Sequence, residues 1–100
     1  MIYAITTKTG ETYNVGTAAD AAAVAIAGAK QRCRDDIVAV YPTTWQLNAA
    51  NGLRTEAEVV AMRSHILACK GVEDAYTAAV EAILAGAGTD AEKIGAIAAL

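Results

Sequence analysis

The chain has very few of the side chains that carry out chemistry. Its 100 residues include one histidine (His65), one tryptophan (Trp45), two cysteines (Cys33 and Cys69) and no phenylalanine. A catalytic site requires several polar groups that converge on one point, and a structural zinc site takes four Cys, His or carboxylate ligands. From so small a set we expect no enzyme activity, no bound metal and no cofactor.

The two cysteines and the apolar residues also lack the patterns of secreted and membrane proteins. Cys33 and Cys69 are too far apart in sequence for a CxxC motif. The first residues of the chain show no signal-peptide pattern. We therefore expect two reduced thiols and a cytoplasmic location in a bacterial host. No apolar run approaches the ~20 residues that cross a bilayer, so we expect no contact with a membrane.

Alanine is the abundant residue, at 25 of 100 positions. Burial of apolar surface stabilises a fold by about 25 cal/mol per Å². An alanine side chain buries little such surface, so the core is expected to be thin. Alanine also favours helices. We expect one domain of closely packed helices, with modest stability unless a partner covers more of its surface.

The net charge of −3 comes from one half of the chain. Residues 1–52 hold four acids and four bases, whereas residues 53–100 hold seven acids and four bases. Binding to a nucleic-acid backbone relies on clustered Lys and Arg. Direct nucleic-acid binding is therefore not expected, and an acidic half suits the basic surface of a larger protein or ribonucleoprotein complex. A homodimer is a further possibility.

The first forty residues predict a sheet with one helix on it. Apolar residues alternate from Ile2 to Val15 around a reversal at Lys8-Thr9-Gly10, as in a β-hairpin. Thr17, with Asp20 three residues on, is typical of a helix N-cap, and a buried helical stripe then extends to Cys33. The apolar run Ile37–Tyr41 predicts a third strand that Pro42 ends.

After Pro42 every pattern is helical. Thr43–Gln46 begins a short helix that stops at Asn51-Gly52. Thr55 with Glu58, and Thr89 with Glu92, predict capping boxes, and Gly71 separates two helices between them. The predicted fold class is therefore α+β, with a single domain at residues 1–100. Residues 1–42 form a ββαβ part with a three-stranded antiparallel sheet, and residues 43–100 form a small helical bundle.

Two segments resemble functional motifs and also have ordinary structural interpretations. His65 and Cys69 are four residues apart on a helix, as in a Cys–His nucleophile pair, but no oxyanion-hole motif or orienting group accompanies them. Residues 46–62 have the short helix, glycine turn and second helix of a helix-turn-helix. Glu56 and Glu58 stand where a recognition helix carries Arg, Asn or Ser, so an αα corner is favoured.

The order strand, strand, helix, strand over Ile2–Tyr41, in a small acidic chain, resembles that of small phage-encoded anti-defence proteins, including anti-CRISPR inhibitors. This resemblance implies a non-catalytic blocker that occupies a surface of a larger host defence complex. The helical segment after Trp45 is similar to short helical segments of phage tail proteins. That similarity implies a structural or tail-assembly component as an alternative, and a helix-turn-helix regulator is a second alternative.

We therefore expect a non-enzymatic protein-binding module, and the sequence offers two candidate contact surfaces. One is an acidic helical face that consists of Glu56, Glu73, Asp74 and Glu81, with Glu73 and Asp74 facing solvent in the first turn of a helix. The other is the strand-to-bundle junction at Tyr41 and Trp45, because Tyr and Trp dominate binding hot spots. The alternative for Trp45 is that it fills the seam between the sheet and the bundle.

Overall fold

A computed structural model describes residues 1–100 as one hairpin and four helices. The elements, in chain order, are β1 (Tyr3–Thr6), β2 (Thr12–Val15), α1 (Ala18–Val40), α2 (Thr43–Ala50), α3 (Glu56–Ala85) and α4 (Asp90–Ala98). The molecule measures 54 × 22 × 16 Å, with a radius of gyration of 17.0 Å. A compact domain of this length has a radius of gyration of about 13 Å, so the chain is elongated.

The hairpin agrees with its prediction. β1 and β2 pair antiparallel, with Tyr3 opposite Val15 and Ile5 opposite Tyr13. Gly10 adopts a φ of 85° in the turn, a conformation that glycine takes at little cost. Ile5 and Val15 are buried on one face, whereas the residues of the other face are exposed: Ala4, Thr6, Thr12 and Asn14. Tyr13 shares the face of Ile5 but is itself exposed. One face of the hairpin therefore covers the helices, as the alternating pattern indicates.

The predicted third strand is wrong, and with it the three-stranded sheet and the small C-terminal bundle. The sheet has two strands, and residues 37–40 continue α1. Side-chain pairs one turn apart support the helix just before this segment: Gln31 Nε2 donates to Asp35 at 2.8 Å, and Arg32 Nε lies 3.4 Å from Asp36. β-Branched residues cost a helix only about 0.5 kcal/mol each, so these pairs and the absence of a neighbouring strand outweigh the local β preference.

The predicted break at Gly71 is also wrong. α3 runs without interruption through Gly71 for 30 residues. The helix instead follows a 3-4 repeat of residues that face α1, which consists of Val59, Met62, Ile66, Cys69, Glu73, Tyr76, Val80 and Ile83. A repeat of this kind is typical of helices that pack side by side along their length. Packing along this seam therefore outweighs the cost of about 1 kcal/mol for a glycine within a helix.

The other helix boundaries follow the predicted caps. Thr17 accepts a hydrogen bond from the Asp20 N–H at the start of α1. Thr55 with Glu58, and Thr89 with Glu92, form complete capping boxes at the starts of α3 and α4.

The core lies at one end of the molecule. The residues of its buried cluster come from the hairpin, the first half of α1, the last part of α3 and α4: Ile5, Val15, Ala21, Ala22, Ala25, Val80, Ile94 and Ile97. Residues from both predicted parts of the domain, 1–42 and 43–100, contribute to this core. The start of α1 meets the end of α3, so the two long helices are antiparallel. Beyond the core they continue as an arm that ends at α2.

Candidate protein-binding surfaces

A groove of about 380 Å³ lies between α1, α3 and the turn of the hairpin. Its polar lining contains both cysteines and the one histidine of the chain, which α1 and α3 bring together. The residues that matter for its chemistry are Arg32, Cys33, His65, Cys69, Glu73 and Tyr76. The sequence predicts only the proximity of His65 and Cys69, because the other contacts cross from one helix to another.

The His65–Cys69 pair lacks the geometry of an activated nucleophile. Cys69 Sγ lies 3.6 Å from His65 Nε2, and the same Nε2 lies 3.2 Å from the backbone oxygen of Asp36. A carbonyl oxygen only accepts hydrogen bonds, so the Nε2 that bonds to Asp36 carries the proton. A protonated Nε2 is unable to remove the proton of Cys69. The hydrogen bond to Asp36 therefore opposes the arrangement that nucleophilic catalysis requires.

Cys33 is a poor nucleophile for a different reason. Its side chain is buried, and burial raises the pKa of its thiol, with a further contribution from the nearby Glu73 carboxylate. The thiolate is the reactive form of cysteine, so a raised pKa lowers its reactivity. No group of three or more His, Cys, Asp and Glu side chains is arranged to hold a metal ion.

Glu73 does not lie where the sequence predicts it. It belongs to the middle of α3, not to the first turn of a helix, and its side chain is 9% exposed. Its one ion pair is with the exposed Lys70, at 3.8 Å. The expectation that Glu73 faces solvent is therefore wrong, because the 3-4 repeat of α3 turns this position toward α1.

The other members of the predicted acidic face lie on one exposed flank of α3. Glu56, Asp74 and Glu81 are exposed, and at 100° per residue they share this flank with Arg63 and Lys70. The flank thus carries three acids and two bases. Without Glu73, and with two interspersed bases, it lacks the uniform negative charge that would imitate a nucleic acid.

The Tyr41–Trp45 junction lies at the far end of the arm from the core. The ring centres of Tyr41 and Trp45 are 4.7 Å apart in an edge-to-face arrangement, and the Arg54 guanidinium lies 4.9 Å from the centre of the Trp45 ring. Gln46 Nε2 donates a hydrogen bond of 2.7 Å to the Tyr41 carbonyl. Both aromatic side chains are half-buried. Trp45 fills no seam with the sheet, because the hairpin packs against the other half of α1.

The arm has no interior of its own. No residue between Cys33 and Glu73 is buried, although this stretch contains many of the larger apolar side chains. Those that are exposed are Val38, Val40, Leu47, Leu53, Val60, Leu67 and Val72. We call the part made of Val38, Val40, Tyr41, Trp45, Leu47, Leu53 and Arg54 the arm tip. Two of these seven residues, Tyr41 and Trp45, are predicted from the sequence.

Comparisons with known proteins add no relative. The chain matches no protein-family model, and neither the curated proteins nor the solved structures contain a match to it. None of the helices has both the length and the apolar character that a membrane span requires.

Proposed function

We propose that the protein is a non-enzymatic protein-binding module that docks on a larger protein through the arm tip. One observation carries this proposal: the 39 residues between Cys33 and Glu73 include no buried residue, yet many of their larger apolar side chains are exposed. Scattered apolar residues are normal on a surface, but a concentration of them is typical of an interaction site.

The chemistry of the arm tip supports the same function. Trp, Tyr and Arg are the residues most enriched in binding hot spots, and Trp45 contacts both Tyr41 and Arg54. These contacts hold the three side chains in place before a partner binds, so less side-chain entropy is lost on binding. Leu47 and Leu53, which are 58% and 71% exposed, add apolar surface around them.

The groove gives the alternative of catalysis little support. A Cys–His enzyme needs a histidine that accepts the thiol proton, and His65 Nε2 is engaged with the Asp36 carbonyl. The DNA-binding alternative has little support as well. α3 begins with Glu56 and Glu58, and two carboxylates at this position repel phosphate groups.

Two forms of the proposed function differ in their partner. One is an inhibitor, from a phage or a mobile element, that covers a surface of a host defence complex, and the other is a phage structural or tail-assembly component. The element order that motivates the first form ends in a strand at residues 37–41, which are helical up to Val40. The proposal therefore concerns protein binding through the arm tip, and the identity of the captured partner distinguishes the two forms.

An affinity pull-down from bacterial lysate, with mass spectrometry of the captured proteins, tests this function. The test variant is Leu47→Glu/Leu53→Glu, which changes two exposed side chains of the tip. The matched control is Ile2→Glu, a side chain that is 68% exposed and lies outside the tip. We expect the wild type and the control to capture the same partner, and the tip variant to lose it at least 10-fold with an unchanged circular dichroism spectrum. Equal capture by all three proteins, or capture of no partner by the wild type, would contradict the proposal.

A further inference from the structure

The two cysteines of the chain lie at nearly the same level of the facing helices α1 and α3. The contact between His65 Nε2 and the Asp36 carbonyl oxygen, at 3.2 Å, shows how the two antiparallel helices align. Cys33 precedes Asp36 by three residues, which is about 4.5 Å along α1. Cys69 follows His65 by four residues, which is about 6 Å along α3 in the same direction. The two cysteines therefore differ in level by only about 1.5 Å.

Both cysteine side chains also face the same space, because each lines the groove between α1 and α3. Burial and the Glu73 carboxylate raise the pKa of Cys33, and the charge of a Cys69 thiolate raises it further. A charge shifts a pKa in this way only from nearby. Ala29 and Ala68 line the same part of the groove, and such small side chains let two helices approach closely. A disulfide requires this approach, with Cα atoms about 4.4–6.8 Å apart.

The pair lies at the base of the arm. Cys33 is the last buried residue of α1, and no residue between it and Glu73 is buried. Helices without a buried interior between them open and close locally at low cost. α1 and α3 are therefore able to adjust their spacing at this level by the small distance that a covalent bond between the two sulfurs requires.

From the shared level, the shared groove and this position we propose that Cys33 and Cys69 are a redox pair. They form a reversible disulfide between α1 and α3, with a low-molecular-weight disulfide such as oxidised glutathione as the oxidant, and the bond holds the base of the arm. Both thiols are free in the reduced protein, so oxidation adds a covalent link where the fold has no core.

The reaction takes place in two exchange steps. Cys69 reacts first, because it is half-buried whereas Cys33 is 6% exposed. The Cys69 thiolate attacks one sulfur of oxidised glutathione, forms a mixed disulfide and displaces one glutathione thiolate. The Cys33 thiolate then attacks the Cys69 sulfur and displaces the second glutathione. The two protons of the cysteine thiols end on the two glutathione molecules, so one disulfide is reduced as another forms.

Equilibration of the whole chain in mixtures of reduced and oxidised glutathione tests the pair, with intact mass and non-reducing electrophoresis as readouts. We expect a monomer that has lost two hydrogen atoms. The effective concentration of the two thiols should be at least about 10-fold higher in the folded protein than in urea, because the fold holds them together. A mixed disulfide alone, a disulfide between two chains, or an effective concentration no higher than in urea would overturn the proposal.

The matched control is Cys69→Ser/Leu67→Cys, which keeps two thiols and nearly the same spacing along the chain. Leu67 is 70% exposed, and it points about 200° away from position 69 around α3. In urea the control should form its disulfide as readily as the wild type, whereas the folded control should give only mixed disulfides. Efficient bond formation in the folded control would contradict the facing arrangement of Cys33 and Cys69.

Hydrogen exchange tests the effect of the bond on the arm. The amides of residues 37–68 should exchange at least about 3-fold more slowly in the oxidised protein than in the reduced one, because the bond opposes local opening of the arm. Cys33→Ser, treated with the same oxidant, should show no such change. Equal exchange in the oxidised and reduced wild type would contradict a bond that holds the arm. None of these measurements involves a captured partner, so this proposal and the proposed function can fail independently.

Discussion

Gly28 of α1 lies directly against Thr7, the residue that follows β1. A Cβ atom on Gly28 would come within 2.6 Å of Thr7 Cβ, which is closer than real Cβ atoms approach, and within 3.0 Å of its Oγ1. Thr7 is itself buried, and its hydroxyl is hydrogen bonded to that of Thr9 at 2.9 Å. The missing side chain of Gly28 therefore lets the hairpin lie close to the helix.

We accordingly expect Gly28→Ala to destabilise the protein. Alanine favours the helix by about 1 kcal/mol over glycine, but overpacking against the hairpin costs about 1–3 kcal/mol. The free energy of unfolding, measured in urea, should fall by about 1 kcal/mol. Gly95→Ala is the matched control, because Gly95 is helical and a Cβ there has no neighbour within 4 Å. The control should be stabilised, and a stabilised Gly28→Ala would show that the hairpin moves freely away from α1.

Local signals predicted the hairpin and the starts of the helices, because those features depend on residues close in sequence. Thr55 and Thr89 each need only a glutamate three residues later to form a capping box. Whether residues 37–40 form a strand or a helix depends on which element from elsewhere in the chain lies beside them. A β-branched run becomes a strand only where another strand pairs with it, and here the arm places α3, not a strand, beside this segment.

At the candidate surfaces, too, local signals predict only the contacts between residues that are close in sequence. Helical spacing predicts that His65 and Cys69 are neighbours, but nothing local to Cys33 indicates that it lies in the same groove. The interior position of Glu73 has a local signal, because Glu73 continues the 3-4 repeat of Val59, Met62, Ile66 and Cys69. The predicted helix break at Gly71 interrupts that repeat, and it is this break that puts Glu73 at a helix start, facing solvent.

The buried carboxylate of Glu73 predicts a stabilising substitution. Its ion pair with Lys70 is long, at 3.8 Å, and Lys70 is largely exposed, so the pair compensates poorly for the loss of water. Replacing a buried ion pair by apolar side chains of similar size is often neutral or stabilises by about 1–4 kcal/mol. Here the remaining partner, Lys70, is exposed and keeps its contact with water when Glu73 is replaced. We expect Glu73→Leu to raise the free energy of unfolding by about 1 kcal/mol, which is about 4–8 °C in melting temperature.

Glu81→Leu provides the comparison for this substitution. Glu81 is exposed on α3, so the same change there should alter the stability by less than about 0.5 kcal/mol. Loss of stability in Glu73→Leu would mean that the Glu73 carboxylate stabilises the groove more than its one visible ion pair indicates.

The two cysteines should differ in their reaction with a thiol reagent such as DTNB. Burial raises the pKa of Cys33, so less of its thiolate is present at neutral pH, and the reagent also reaches it poorly. Cys69 is half-buried and lines the groove. We expect one fast and one slow phase in the native protein, with the fast phase absent from Cys69→Ser and the slow phase absent from Cys33→Ser. The reverse assignment would contradict the packing of Cys33 against α3.

The capping box of α3 makes a prediction about acid pH. The hydrogen bond from the Thr55 backbone N–H to the Glu58 carboxylate, together with the contact of the Thr55 side chain and the charge of Arg54, lowers the pKa of Glu58. A carboxyl group whose pKa is lowered by folding stabilises the folded state above its ordinary pKa, and this contribution disappears as the pH falls through the lowered value. A carboxyl-detected NMR titration should therefore give a lower pKa for Glu58 in the wild type than in Thr55→Ala, where the cap is disturbed. Over the same pH range, the stability advantage of the wild type over Glu58→Ala should shrink as the solution becomes more acidic. Equal pKa values for Glu58 in the wild type and Thr55→Ala would show that the capping box does not hold the start of α3 in solution.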